Sequence, residues 1–162
     1  MEDMTAAITI VSDSLFNNPD LLENDESGII AVETLTELGI GRSNLDYLPD
    51  DLNALKTKIE QEASKKTHLI LFIGGTGISK RDVTYEAISA LVEKEIFGFG
   101  EEFRRLSIKK IGNFGMLSRA IAGTVNKSLV AGIPGSPDAT QTGVRLLGAI
   151  LGHVIQQLYK ES

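Results

Sequence analysis

Gly74-Gly75-Thr76-Gly77 is the segment whose residue types most directly suggest chemistry. Glycines let a backbone turn sharply and leave its amides clear of any Cβ. Successive N–H groups of such a turn can cradle a phosphate or another anion. Thr76 adds a hydroxyl, and Lys80 and Arg81 follow as two cations in a chain of net charge −6. A tight strand-to-helix turn is the plain alternative for the same residues. Known phosphate fingerprints do not fit. A P-loop from Gly74 needs glycine at 79 and serine or threonine at 81, where the chain has Ser79 and Arg81. The dinucleotide pattern from Gly75 needs glycine where Lys80 stands. A generic kinase or dehydrogenase is therefore disfavoured.

Asp50 and Asp82 are candidate magnesium-associated carboxylates, because magnesium takes hard oxygen ligands and keeps waters and substrate phosphates in its shell. Helix capping for Asp50, and a turn or a pair with Arg81 for Asp82, are the alternatives. Weaker candidates are Asp13 within Ser12-Asp13-Ser14, Glu101, Glu102, Ser118 and Arg119. Arg119 can pair with a carboxylate or hold a phosphate. Ser136, within Pro134-Gly135-Ser136-Pro137, is either a turn residue or a donor to a ligand. His68 and His153 are assigned to packing or surface.

These residues need elements to position them. Ala6–Val11 is a β-branched apolar run that reads as a strand. The polar stretch through Asp25, with Asn17-Asn18-Pro19-Asp20, predicts a loop. A helix is expected from Ser27 to the stop at Gly39, then a short strand over Leu45–Leu48. Leu52, Leu55, Ile59 and Ala63 form one helical face. His68–Ile73 is apolar without alternation, as a strand covered on both faces should be. Further helices are predicted from Thr84 and as turns around Glu101–Leu106. Ala120–Val125 and Ser128–Ile133 predict a hairpin joined at Asn126-Lys127. Val144, Leu147, Leu151, Val154 and Leu158 mark the last helix.

Strand–helix alternation implies an α/β three-layer sandwich: a mostly parallel sheet with one antiparallel strand and helices on both faces. A single domain over residues 1–162 is expected. Ligands in such sheets gather at the carboxyl ends of the strands. Ser12–Ser14, Pro49–Asp51, Gly74–Asp82 and Pro134–Pro137 all follow strands, and that shared position matters more than any one motif.

Composition narrows the classes. There are no cysteines and 2 histidines, so thiolate metal sites, disulfides and a His-rich cage are excluded. A net charge of −6 argues against nucleic acid and anionic membranes as partners. The start Met1-Glu2-Asp3-Met4 lacks the basic residues of a signal peptide. No apolar stretch approaches the ~18–20 residues of a membrane span. A cytoplasmic protein is expected.

Ile73–Gly77, Arg81-Asp82-Val83-Thr84, Glu86-Ala87, Gly98-Phe99-Gly100-Glu101, Met116-Leu117-Ser118-Arg119 with Ala122-Gly123, and Pro134–Pro137 form a set of motifs. Together they resemble the molybdopterin-binding domain family, in particular its stand-alone MogA/MoaB-type members. Ser12-Asp13-Ser14, Asp25 with Ser27-Gly28, and Pro49-Asp50 match earlier positions, so the likeness spans about residues 7–158. The resemblance implies molybdopterin adenylyltransferase chemistry with ATP and molybdopterin as substrates and Mg2+ as cofactor. It places catalytic acids at Asp50, Asp82 and Glu101, with Asp50 and Asp82 as metal ligands. It places the pterin and nucleotide pocket at Ser12, Asp13, Ser14, Gly74, Gly75, Thr76, Gly77, Ser118, Arg119, Pro134, Gly135 and Ser136. A homotrimer is implied, with other cofactor-biosynthesis proteins as partners. The alternative is a non-catalytic protein that holds or delivers the pterin. A nucleotide pyrophosphohydrolase is a weaker third reading.

Overall fold

The computed structural model describes residues 3–160; Met1 and Glu2 of the acidic start lie outside them. The chain runs β1 (Thr5–Val11), α1 (Asp13–Asn17), a 3-10 turn (Pro19–Asn24), α2 (Glu26–Glu37), β2 (Arg42–Leu48) and α3 (Leu52–Ser64). It continues through β3 (Leu69–Ile73), α4 (Thr84–Leu91), β4 (Lys94–Glu95) and α5 (Phe97–Ile111). A second 3-10 turn (Gly112–Leu117), β5 (Ile121–Val125), β6 (Ser128–Ile133) and α6 (Pro137–Lys160) complete it.

Six strands form one sheet in the order β2-β1-β3-β6-β5-β4. β2, β1, β3 and β6 are parallel neighbours, whereas β5 runs antiparallel to both β6 and β4. β5 is thus the one reversed strand, as the hairpin predicts. Asn126 takes a φ of +52° in its two-residue turn, a conformation asparagine tolerates better than most residues.

The sheet is covered on both faces. Ile8, Leu71, Ile133, Leu35, Phe103 and Leu147 belong to the core beneath α2, α5 and α6. Ile70, Phe72, Val130, Leu55, Ile59 and Ile88 belong to the opposite core beneath α3 and α4. Residues of β3 alternate between these cores, which explains its unbroken apolar sequence.

Three local expectations change. The predicted loop before Asp25 contains α1 and a 3-10 turn. Ser12 caps α1 by accepting from Leu15 N at 3.3 Å, and Pro19 opens the 3-10 turn where its missing N–H costs nothing. Neither element buries a residue, so no apolar period marked them. The turns around Glu101–Leu106 extend to a helix of 15 residues. β4 was not foreseen, because 2 residues are too short to show alternation.

The connection β2–α3–β3 crosses from one side of β1 to the other, so the strand order reverses between β1 and β3. A crevice opens outside the carboxyl ends at such a switch point. Ser12–Ser14 and the glycine loop border it.

Candidate functional site

Ser12 and Asp13 leave β1 where Asp50 leaves β2. Asp13 N donates to Asp50 Oδ2 at 3.2 Å, and Asp50 N donates to Asp13 Oδ1 at 2.8 Å. This reciprocal clasp brings two of the predicted acids together. Asp51, not Asp50, caps α3, accepting from Ala54 N at 2.7 Å. Asp50 is therefore free of the helix-capping role.

Asp82 folds back over the glycine loop. Its Oδ2 accepts from Ser79 N at 2.9 Å and lies 2.7 Å from where a Cβ on Gly77 would stand. A Cβ on Gly75 would approach Asp50 Oδ1 to 3.4 Å. The two aspartates thus face neighbouring glycines of one loop.

The loop has a definite polarity. Gly74 O accepts from Thr84 Oγ1 at 2.7 Å and Gly75 O from Thr84 N at 3.0 Å. Thr76 O accepts from Arg119 N at 2.9 Å, and Gly77 O from Arg119 Nε at 2.8 Å. All four carbonyls are thus satisfied by the protein. The N–H groups of Gly75, Thr76, Gly77 and Ile78 donate to no acceptor among the described residues. A trans peptide holds its N–H opposite its C=O. The loop therefore sets a row of unpaired donors opposite the carbonyls the protein holds, with Thr76 itself only 2% exposed, an arrangement suited to an anion.

Two clefts adjoin this row. One, of about 240 Å³, is lined by Thr76, Gly77, Ile111, Phe114, Leu117 and Ser118, with Pro134 and Ser136. Its apolar walls suit a flat ring. The other, of about 390 Å³, is lined by Ser79, Lys80, Asp82, Glu86 and Arg119. A larger concavity of about 520 Å³ lies at the amino ends of β1 and β2, lined by Thr5, Arg42 and Lys65 among others. It holds none of the candidate residues, so size does not select the site.

Other candidates take more structural positions. Ser136 caps α6, its Oγ accepting from Ala139 N at 3.2 Å. Gly135 O accepts from Ser27 Oγ at 2.6 Å. Ser118 Oγ accepts from Ala120 N at 3.3 Å. Glu101 stands exposed on the second turn of α5 and makes no hydrogen bond or ion pair with the other candidates. Thr84 and Ser27 carry no local chemical signal in the sequence, because their partners lie 10 and 108 residues away. The family motif containing each was their only signal.

Burial raises the Asp50 carboxyl above its ordinary pKa. The Asp13 amide and the Arg81 charge oppose this, whereas the charges of Asp13 and Asp82 add to it. A raised carboxyl pKa makes the ionised form the costly one in the fold. Asp50→Asn is accordingly expected to raise the melting temperature at neutral pH by about 2 °C. That gain should vanish as pH falls through the Asp50 pKa, where the wild-type carboxyl is itself neutral. Thermal scans across pH check the sign; a variant less stable at neutral pH overturns it.

The donor set fits magnesium. Asp50 Oδ1 and Asp82 Oδ1 carry no hydrogen bond among the described residues, and both are hard oxygen donors. No group of three or more His, Cys, Asp or Glu among the described residues is arranged to hold a metal alone. Phosphate oxygens and water would complete the shell, as is usual for this ion. No helix among the described residues is long and apolar enough to cross a membrane.

Comparison with known proteins finds relatives along nearly the whole chain. A family model described as a probable molybdopterin binding domain matches residues 7–153. Molybdenum cofactor biosynthesis protein B of Staphylococcus carnosus (strain TM300) is 38% identical over 162 residues, covering 98% of this chain and 92% of that protein. A solved structure of a molybdenum cofactor biosynthesis protein B superposes with a TM-score of 0.87 at 36% identity, covering 99% of each chain. The molybdopterin biosynthesis Mog protein of Mycobacterium ulcerans gives a TM-score of 0.87 at 28% identity, covering 96% of this chain and 99% of the other.

Proposed function

The chain belongs to the molybdopterin-binding domain family, and from that premise we propose that it acts in molybdenum cofactor biosynthesis by transferring AMP from ATP to molybdopterin. The observation that carries this reading is the row of unpaired amides from Gly75 to Ile78, bordered by Asp50 and Asp82. A terminal phosphate oxygen of molybdopterin bonds to the α-phosphorus of ATP. The bond from that phosphorus to the bridging oxygen breaks, and pyrophosphate leaves.

Each group has a distinct task in this reading. The amides donate to phosphate oxygens as charge shifts during transfer. Lys80 and Arg81, which form no ion pair among the described residues, add positive charge at the loop. The cleft walled by Ile111, Phe114 and Leu117 takes a ring and fixes the angle of attack. Magnesium, held through Asp50 and Asp82, would neutralise phosphate charge. A homotrimer is the assembly that accompanies this reading.

The test uses purified protein with ATP, molybdopterin and magnesium. Pyrophosphate release is expected only when both substrates are present. Tight pterin binding with no adenylylated product would replace the enzyme with a carrier. Nucleotide cleavage without molybdopterin would point to a hydrolase.

A further inference from the structure

The glycine loop is held by one residue, through its main-chain N–H and its side chain, and that side chain is gripped by a second residue. Beyond its bonds to Thr76 O and Gly77 O, Arg119 donates from Nη2 to Asp82 O at 3.2 Å. Glu86 engages the guanidinium through both carboxylate oxygens, Oε1 to Nη1 and Oε2 to Nη2, the latter at 3.3 Å. The Tyr85 ring centre lies 5.2 Å from the guanidinium carbon. Nε, Nη1 and Nη2 therefore all have partners within the protein.

We infer that Arg119 and Glu86 are positioning residues that aim the loop amides at the phosphates, and that Arg119 is not itself a phosphate ligand. The identity of the anion rests on the adenylyl-transfer reading; the aiming device does not. The peptide joining Thr76 to Gly77 carries the Thr76 carbonyl and the Gly77 N–H on opposite sides. The next peptide carries the Gly77 carbonyl and the Ile78 N–H likewise. Arg119 holds both carbonyls, Thr76 O through its main-chain N–H and Gly77 O through Nε, and so turns both amides the other way. Thr84 does the same for the amides of Gly75 and Thr76. The row is set in two halves by two different residues.

A planar guanidinium can reach Gly77 O, Asp82 O and the Glu86 carboxylate together; a lysine ammonium cannot. Glu86 fixes its orientation by a bidentate, charge-assisted contact. The pair is partly exposed, with side-chain accessibilities of 30% for Arg119 and 45% for Glu86. Such pairs add little to global stability, so the variants should stay folded while the loop loses its aim.

The experiment measures pyrophosphate binding by calorimetry for wild type, Arg119→Lys, Arg119→Ala, Glu86→Ala and Glu86→Gln. Backbone amide resonances are recorded alongside. Arg119→Lys and Arg119→Ala are both expected to weaken binding about tenfold, equivalent to about 1.4 kcal/mol. Glu86→Ala should weaken it about threefold and Glu86→Gln, which keeps an acceptor, should recover most of that. The Ile78 amide, opposite the carbonyl that Arg119 Nε holds, should shift in the Arg119 variants, while Gly75 and Thr76, held by Thr84, stay. Wild-type affinity in Arg119→Lys would show that the residue acts as a charge and would overturn the inference. So would an unmoved Ile78 resonance, or a wild type that binds no pyrophosphate. Glu86→Ala carries the test if the Arg119 variants unfold. Pyrophosphate binding with this variant pattern, but no adenylyl transfer by wild type, would sink the catalytic reading alone.

Discussion

Replacing Asp82 by asparagine is expected to lower adenylyl transfer by a factor on the order of 10²–10³ and to leave the fold intact. Asparagine has the same shape, so the contact with Gly77 survives. Its side-chain oxygen can still accept from Ser79 N, the bond that Oδ2 makes at 2.9 Å. The loss is one negative charge beside the loop. If Asp82 helps to hold magnesium against the phosphates, the concentration of magnesium needed for half-maximal rate should rise as the maximal rate falls. Initial rates over a magnesium series, with a melting curve for each protein, separate lost chemistry from lost structure. Turnover within twofold of wild type would remove Asp82 from the catalytic assignment.

Gly74→Ala is expected to destabilise the protein by about 3 kcal/mol, lowering the melting temperature by roughly 6–12 °C. Gly74 has a φ of +107°, and a Cβ there would lie 2.5 Å from Val11 O. That oxygen belongs to the backbone of β1, where Val11 is buried and paired with Leu48. It cannot retreat without disturbing the pairing of β1 with β2. Gly98 is the matching control, since it lies within α5 and nothing stands within 4 Å of its would-be Cβ. Gly98→Ala should be neutral or stabilise by up to about 1 kcal/mol through helix propensity. Urea unfolding of both variants checks the contrast. A Gly74→Ala protein melting within 2 °C of wild type would mean that the loop can shift away from β1.

The parts of the fold legible in sequence were those with strong local patterns. β3 is apolar throughout because residues such as Leu71 and Phe72 enter opposite cores. The hairpin of β5 and β6 announced itself by two β-branched runs around Asn126-Lys127. The amino half of β2 did not, because Arg42-Ser43-Asn44 lies on a strand that pairs only with β1. Its alternate side chains face solvent, so polar residues cost little there. α1 had no pattern to show, being held by a cap rather than by burial.

At the site, the residue types already set the chemistry present: glycines able to expose amides, two aspartates after strands, and Lys80 and Arg81 beside the loop in a chain of net charge −6. The sequence also determined that these segments leave the carboxyl ends of strands, since strand order along the chain follows from local periodicity. Tertiary structure alone decided which groups face a ligand and which face the protein. Arg119 was open to either role in sequence. The structure turns it onto Gly77 O and Glu86, 42 and 33 residues away. Asp13 and Asp50 clasp each other across 37 residues. Such pairings depend on which strands lie side by side. Periodicity within a segment reports only on its near neighbours, so the direction in which a donor points is settled when the sheet assembles.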